Sequence, residues 1–431
     1  MRLGSLYELF QECTCVTTDS RNCPEGSMFI ALRGANFNGN AFAKQALEKG
    51  CKYAIIDDPQ YEEPDNSRIK LVDDCLQVLQ GLARLHRFTL RTPVFAITGT
   101  NGKTTTKELI AAVLKKKYNV LYTEGNLNNH IGVPLTLLRL TPEHKFAIIE
   151  MGASHPGDIK ELVDIAMPKC GIITNIGTAH LEGFGSLEGV QRTKCELYDY
   201  LRENNGVAFV NAEDDFLVEK SQDIFRVGYG TTPGLFVSGN ADPNSPLLKV
   251  HWRTDDVESD VQTNLVGSYN LNNVLAAIAF GVGFKVPTED INSALSEYVP
   301  TNSRSQLKKT EHNTLIIDAY NANPTSMMAA LENFNHLPFQ NKMLILGDMK
   351  ELGTSSLSEH KKILDYISQH HYQRVILVGE EFKKACSCTD YETFPNAEAA
   401  KQALIDQQPC GYSILIKASN SVHLAPLADI L

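Results

Sequence analysis

"VFAITGTNGKTTTKELI", residues 94–110, decides how the rest of the chain is read. "VFAIT" is an apolar run of buried-strand type, and "KTTTKELIAAVLKK" carries helical periodicity. Between them stand Gly99, Thr100, Asn101 and Gly102, followed by Lys103, Thr104 and Thr105. A phosphate-binding loop needs three parts: a strand that ends, glycines that let backbone N–H groups converge, and a helix whose first turn offers free donors. All three parts are present. The common loop has four residues between its first glycine and the Gly-Lys-Thr ending. That rule puts a glycine at position 97, where Ile97 stands instead. The loop is therefore shortened, with its physical parts intact. Lys103 is placed to reach the β and γ phosphates, and the Thr104 hydroxyl is placed to hold magnesium. The plain alternative is a strand–turn–helix with an incidental lysine. Helix-start chemistry accounts for the threonines, but not for a lysine between glycine and threonine at a strand end.

Outward from this stretch the chain alternates strand and helix. "FAIIE" and "GIITNI" are further buried-strand runs, with helical patterns over 103–116, 157–166 and 186–201. Alternation of this kind predicts a mostly parallel sheet with helices on both faces. Residues 231–268, rich in Gly, Pro, Asn and Asp, read as added antiparallel strands or loops. Upstream, "GSMFIAL", "YAIID" and "IKLVDD" are short strands of a smaller α/β unit. Downstream, "LIIDAY", "KMLILGD", "RVILVGE" and "SILIKAS" alternate with helices near 325–335, 358–369 and 397–407. The reading is α/β in three domains: a small N-terminal domain over 1–85, a central phosphate-loop domain over 86–305, and a C-terminal Rossmann-like domain over 306–431.

A length of 431 residues with 43 % apolar side chains supports several buried cores. The net charge of −11, from 40 basic and 51 acidic side chains, disfavours a general nucleic-acid binder. Ten cysteines sit mostly singly in apolar stretches, and the pairs Cys13/Cys15 and Cys386/Cys388 are too tightly spaced for the common zinc pattern. They read as reduced thiols of a cytoplasmic chain. No signal-peptide core and no transmembrane run is expected, and a monomer is expected.

Ligands in open α/β sheets bind beyond the carboxyl ends of strands, so polar residues there are the candidates. Glu150 ends one strand, and a carboxylate opposite Thr104 suits magnesium. His180 follows "GIITNIG" and is able to ligate a metal or orient a carboxylate. Lys194, in "VQRTKCELY", has three readings: a phosphate contact, a lysine carbamylated by carbon dioxide, or a surface lysine paired with Glu196 or Glu188. "GSYNLNNVLAAIAF" opens a helix with Asn270, Asn272 and Asn273, one expected to cap it and another free to read an adenine edge. Arg304 precedes the third block. "DAYNANPTS" sets Asp318, Tyr320, Asn321 and Asn323 at a strand end, suited to ribose and base or to turn and cap chemistry.

These motifs, in this order, resemble the ATP-dependent muramyl ligases of peptidoglycan synthesis. The resemblance spans the chain and rests on "TGTNGKTTT", "EMGASHPGDI", "TNIGTAHLEGFGSLEGVQRTKCELY", "GSYNLNNVLAA", "DAYNANPTSM" and "LGDMKELG". "YNANP" with Leu346-Gly347-Asp348-Met349 resembles the member that adds D-alanyl-D-alanine to a UDP-N-acetylmuramoyl-tripeptide. The resemblance implies ATP and two magnesium ions. Thr104 and Glu150 would hold one ion; Glu150, His180 and an N6-carboxylated Lys194 would hold the second. It further implies ATP phosphates on Lys103, adenine near Asn273, and Arg304, Asp318 and Asn321 completing the nucleotide site. Asp19, Ser20 and Arg21 match the uridine-site region. Two departures stand out: Asn38-Gly39-Asn40 replaces the family's Asp-Gly-His, and "KASNSV" puts Asn420 where the family has arginine. Rival functions are a sister ligase or folate-glutamylating relative adding another amino acid, a phosphate-loop kinase or motor ATPase, and a non-catalytic nucleotide-binding protein.

Overall fold

The computed structural model describes residues 2–178, 181–242, 245, 247–300, 304–386 and 391–431, with the backbone alone at 181. Three main sheets follow one another along the chain. The first is four-stranded and all parallel, in the order Val16–Thr17, Met28–Ile30, Tyr53–Ile56, Ile69–Leu71. Its helices include Leu3–Gln11 and Cys75–Leu90. The second of these runs through the expected 85/86 boundary. Asp74 caps it by accepting from Gln77 N at 3.0 Å, and it stops only at Arg91, which takes a φ of 57°. Its buried face serves two domains at once. His86 bonds Tyr7 Oη at 3.0 Å on one side and Leu140 O at 2.9 Å on the other. The first domain is thus welded to one face of the central sheet by a continuous apolar core.

The central sheet has nine strands. In spatial order they are Glu258–Gln262, Lys249–Arg253, Val237–Ala241, Phe225–Gly230, Val207–Asn211, Cys170–Ile173, Val94–Thr98, Phe146–Glu150 and Val120–Tyr122. Pairing is parallel except at Val237–Ala241/Lys249–Arg253 and the next pair, so the antiparallel strands do lie within 231–268. Val94–Thr98 runs mid-sheet between Cys170–Ile173 and Phe146–Glu150 and is buried throughout. A strand covered on both faces needs apolar residues at both parities. Phe95 and Ile97 enter the core under the helices Lys103–Lys115 and Leu271–Gly283. Val94 and Ala96 enter the core shared with Asp158–Ala166 and Leu187–Glu203. Phe280 stacks on Phe209 at 3.8 Å and tilts against Phe95 at 5.4 Å. Each such pair contributes about 0.5–1.5 kcal/mol beyond burial. Their packing fixes the helix Leu271–Gly283, and with it Asn273, against the phosphate-loop helix.

The third sheet has six strands, in the order Gln306–Lys309, Thr314–Asp318, Ser413–Lys417, Lys342–Gly347, Arg374–Val378, Glu392–Phe394. Only the first pair is antiparallel. Helices Pro324–His336, Ser356–Ser368 and Ala397–Asp406 alternate with its strands. The carboxyl ends of this sheet and of the central sheet meet. There Asn323 Nδ2 donates to Asn101 Oδ1 at 2.8 Å, and the Thr178 and Thr325 hydroxyls approach to 3.3 Å.

Candidate active site

At that junction lies a cavity of about 760 Å³. Thr100–Thr105 form its floor, with Asn128, Glu150 and Asp158 from the central domain and Arg304, Asp318, Asn321 and Lys417 from the hinge and C-terminal side. The phosphate loop is shaped by two glycines. Gly99 has a φ of 140°, and a β-carbon there would stand 2.0 Å from Thr174 Oγ1. Gly102 has a φ of 78°, and a β-carbon there would stand 2.6 Å from Asn273 Oδ1. The neighbouring strand end makes the loop's bed. Asn175 Oδ1 accepts from Asn101 N at 3.0 Å, Asn175 O accepts from Thr100 N at 3.0 Å, and Thr174 Oγ1 donates to Asn101 O at 2.6 Å. Thr174 and Asn175 were not singled out in the sequence, although "TNIG" sits at a strand end.

The helix that follows has Gly102 as its N-cap residue and no side-chain cap, so the threonines lie within the helix. First-turn amides have no partner inside a helix, and here that turn lines the cavity. Lys103 Nζ donates to Gly99 O at 2.8 Å and Thr100 O at 3.0 Å. Burial pulls the Lys103 amine down to about 8, against the counter-pull of Glu150. Thr104 is 5 % exposed. Glu150, 2 % exposed, accepts from Asn128 Nδ2 at 2.9 Å through Oε1, while its buried Oε2 has no hydrogen-bond partner among the described residues. An unmatched buried carboxylate oxygen and a hydroxyl in the same cavity are hard oxygen donors. They fit magnesium, which binds through one or two carboxylates plus substrate phosphates. Among the described residues no three His, Cys, Asp or Glu side chains converge as a metal site. His180 lies outside the described residues.

Lys194 is 3 % exposed, on the helix Leu187–Glu203. Burial, then the nearby Lys103 charge, holds its amine well below the ordinary lysine range, while Asp158, Glu196 and Glu150 pull the other way. The surface-pair reading fails, because Lys194 is buried and among the described residues it forms no ion pair with Glu196 or Glu188; Glu196 accepts from Gly157 N at 2.9 Å and Lys160 N at 2.8 Å.

On the C-terminal side Arg304 lies 3.8 Å over the Tyr320 ring, and its buried Nε has no hydrogen-bond partner among the described residues. Asp318 Oδ2 accepts from the nearly buried Lys417 Nζ at 2.5 Å, and Asn321 O accepts from the same amine at 3.3 Å. Asn323 closes a capping box with Ser326. Asn273 Oδ1 accepts from Thr106 Oγ1 at 3.0 Å and its Nδ2 donates to Asn270 Oδ1 at 2.8 Å, leaving one amide hydrogen for a ligand. No asparagine side chain caps Leu271–Gly283. Asn270 reaches back to Val266 O and Ser305 Oγ instead. Asp19, Ser20 and Arg21 stand apart in the first domain and do not line the cavity. Arg21 forks onto Asp19 through two bonds of 2.9 Å, which hold that carboxyl down at about 2. In the departure at 38–40, buried Asn40 bonds Asn38 and Asp57, so a neutral amide knits that turn.

The sequence is 38 % identical to the UDP-N-acetylmuramoyl-tripeptide–D-alanyl-D-alanine ligase of Bacillus subtilis, over 96 % of this chain and 92 % of that protein. The chain belongs to the Mur ligase family. Mur ligase models match in three consecutive parts: the family's catalytic domain over 12–87, the middle domain over 97–281 and the glutamate ligase domain over 303–420. The Escherichia coli ligase of the same name as the Bacillus protein is 34 % identical over 96 % of this chain and 93 % of its own length. Among solved Mur ligases, MurF from Acinetobacter baumannii superposes with a TM-score of 0.87 at 31 % identity, covering 99 % of this chain and 98 % of that one. MurF from Thermotoga maritima, solved in complex with ADP, gives 0.86 at 25 % identity, covering 98 % and 97 %. The three-domain Mur ligase fold is therefore present over the whole described chain. Among the described residues no helix is long and apolar enough to cross a membrane; Cys13, Cys15, Cys23, Cys51, Cys75, Cys170, Cys195 and Cys410 are free thiols, and Cys388 lies outside the described residues.

Proposed function

We infer that this chain is an ATP-dependent ligase that joins D-alanyl-D-alanine to the terminal carboxyl of a UDP-N-acetylmuramoyl-tripeptide, releasing ADP and phosphate. One observation carries the chemistry. A phosphate loop with a half-buried lysine and the unmatched oxygen of Glu150 face one cavity, closed from the other side by Arg304 and Asp318. The full-length likeness to D-alanyl-D-alanine-adding relatives carries the substrate.

A free carboxylate forms no amide readily, because oxide is not a leaving group. The γ-phosphoryl group of the substrate ATP passes to that carboxylate, forming an O–P bond as the bond to ADP breaks. The dipeptide amine then attacks the acyl carbon, a C–N bond forms, and phosphate departs with the former carboxylate oxygen. Lys103 and the amides of residues 99–104 hold the transferring group and its charge. Thr104 and Glu150 would hold magnesium, which when bound neutralises charge on the phosphates. We assign Arg304 to the phosphates, Asp318 and Asn321 to the ribose and base, the spare Asn273 hydrogen to the base edge, and Asp19, Ser20 and Arg21 to the UDP end. We assign Lys194 as an N6-carboxylated anion that, with Glu150 and His180, would hold a second magnesium. Burial disfavours the charged form of this amine, the uncharged form is the one that adds carbon dioxide, and the resulting carbamate is an anion suited to a metal. Closure of the cleft between the last two domains keeps water from the acyl phosphate.

Release of ADP with all three substrates, across a panel of amines, tests the reading. Turnover with D-alanyl-D-alanine, and none without the nucleotide peptide, is expected. Preference for a single amino acid would make the chain a sister ligase. Equal ATP turnover without the peptide would make it a plain ATPase.

A further inference from the structure

Lys417 ends the strand Ser413–Lys417, and none of the roles above uses it. Its side chain is only 2 % exposed, yet it belongs to the cavity wall. Parallel register sets it beside Asp318, which ends the neighbouring strand Thr314–Asp318. The ammonium group donates to Asp318 Oδ2 at 2.5 Å and to Asn321 O at 3.3 Å. Ser305 N approaches the other carboxylate oxygen, Oδ1, at 3.4 Å. Further along, Ser419 Oγ donates to Ala322 O at 3.2 Å, so this strand end grips both residues of the 321–322 turn. The residue that follows the turn, Asn323, donates to Asn101 of the phosphate loop. A buried cation thus ties together the carboxylate and the turn that are assigned to the nucleoside.

Stability alone is a poor reason for such a pair. Taking two charges out of water costs about as much as their attraction returns, and apolar replacements are often as stable. The site supplies a better reason. The ligase reading, on which this inference rests through the ribose placed at Asp318, puts a carboxylate in the cavity that receives a triphosphate. An uncompensated anion there repels the phosphates. It is also free to turn, and an acceptor discriminates between ligands only when its oxygens are held in place. An ammonium bonded to one oxygen removes both defects. It cancels the charge at long range and leaves a fixed acceptor at short range. We propose that Lys417 is a positioning residue of the nucleotide site, which orients Asp318 toward the ribose hydroxyls and offsets its charge against the triphosphate.

Titration calorimetry on the full chain, with magnesium and either ATP or its 2′- and 3′-deoxy analogues, tests this. It reads nucleotide binding alone, so a failure of the ligase reading in the ADP-release panel is a separate result. The parent should bind ATP about tenfold or more tightly than at least one deoxy analogue, because a hydrogen bond to a charged group is lost. Lys417→Met keeps much of the stem and removes the charge. It should weaken ATP binding about ten- to hundredfold and shrink that preference to within about twofold. A merely structural lysine would lower Tm and leave the preference intact, and that result overturns the proposal. Asp318→Asn gives the sharper sign. In the parent it should weaken ATP binding, whereas in the Lys417→Met background it should strengthen it, since it then removes an unpaired anion facing the phosphates. Lys417→Gln, which also lacks the charge and keeps an N–H donor, serves as the background should the methionine variant not fold. Equal losses from Asp318→Asn in both backgrounds overturn the proposal. A parent that binds ATP and both deoxy analogues alike overturns it too, because the ribose then does not depend on Asp318.

Discussion

Gly102→Ala tests the shape of the phosphate loop. The new β-carbon is forced to a φ of 78° and stands 2.6 Å from Asn273 Oδ1 and 3.2 Å from its Cγ. Left-handed backbone costs about 1–2 kcal/mol for a residue with a β-carbon. Asn273 has no easy retreat, since it is 8 % exposed and bonded to Thr106 and Asn270. Displacing it breaks at least one buried hydrogen bond, for about 1–2 kcal/mol more. The sum, about 2–4 kcal/mol, falls on the turn to which we assign the phosphates. ATP affinity should therefore drop by about thirty- to a thousandfold, at about 1.4 kcal/mol per decade. Titration calorimetry with ATP reads this directly, and hydrogen exchange along Lys103–Lys115 shows whether the damage is local. Pairing the change with Asn273→Ala removes the obstacle but not the backbone cost. The double variant should bind ATP better than additivity predicts, by about 0.5–2 kcal/mol. Strict additivity, or a Gly102→Ala chain that binds ATP within threefold of the parent, would refute the steric argument.

Three further outcomes are expected. With its amine at about 8, Lys103 loses charge as pH rises, whereas a bound triphosphate favours the charged form, so binding takes up a proton. ATP affinity should fall about tenfold between pH 7 and 9, and Lys103→Met should abolish that dependence. A pH-independent parent would refute the assignment. Lys194→Ala should abolish ligation, and a short-chain carboxylic acid should restore part of it by returning an anion; a failure to restore turnover argues against the carbamate. Scattering should show the chain more compact with an ATP analogue and peptide substrate bound. Asn101→Ala, which cuts the bond from Asn323, should lessen that compaction, and equal dimensions in every state would rule out closure.

Local order was legible wherever periodicity and glycine placement act over a few residues. The helix expected over 103–116 is Lys103–Lys115, and those expected near 325–335 and 397–407 are Pro324–His336 and Ala397–Asp406. Such segments are read correctly because an amphipathic period and a cap are properties of neighbours in sequence. Side-chain duty was less legible. The asparagines ahead of Leu271–Gly283 promised a cap, but Asn270 bridges to Ser305 and Asn273 braces the phosphate loop. Thr174 and Asn175, which cradle that loop, carry no local signal because their partners lie 73–75 positions away.

By itself the sequence determined that a phosphate-loop pattern lies on Gly99–Thr105, that acid and lysine candidates stand at strand ends, and that three α/β units follow one another. Only the tertiary structure decided which of these groups share a cavity. It buried Lys194 and set it beside the charge of Lys103, withheld a partner from one Glu150 oxygen, and carried the helix Cys75–Leu90 through the supposed domain boundary. The reason is physical. Backbone conformation is set largely by nearest neighbours, whereas desolvation and charge coupling depend on what distant segments bring within a few ångströms.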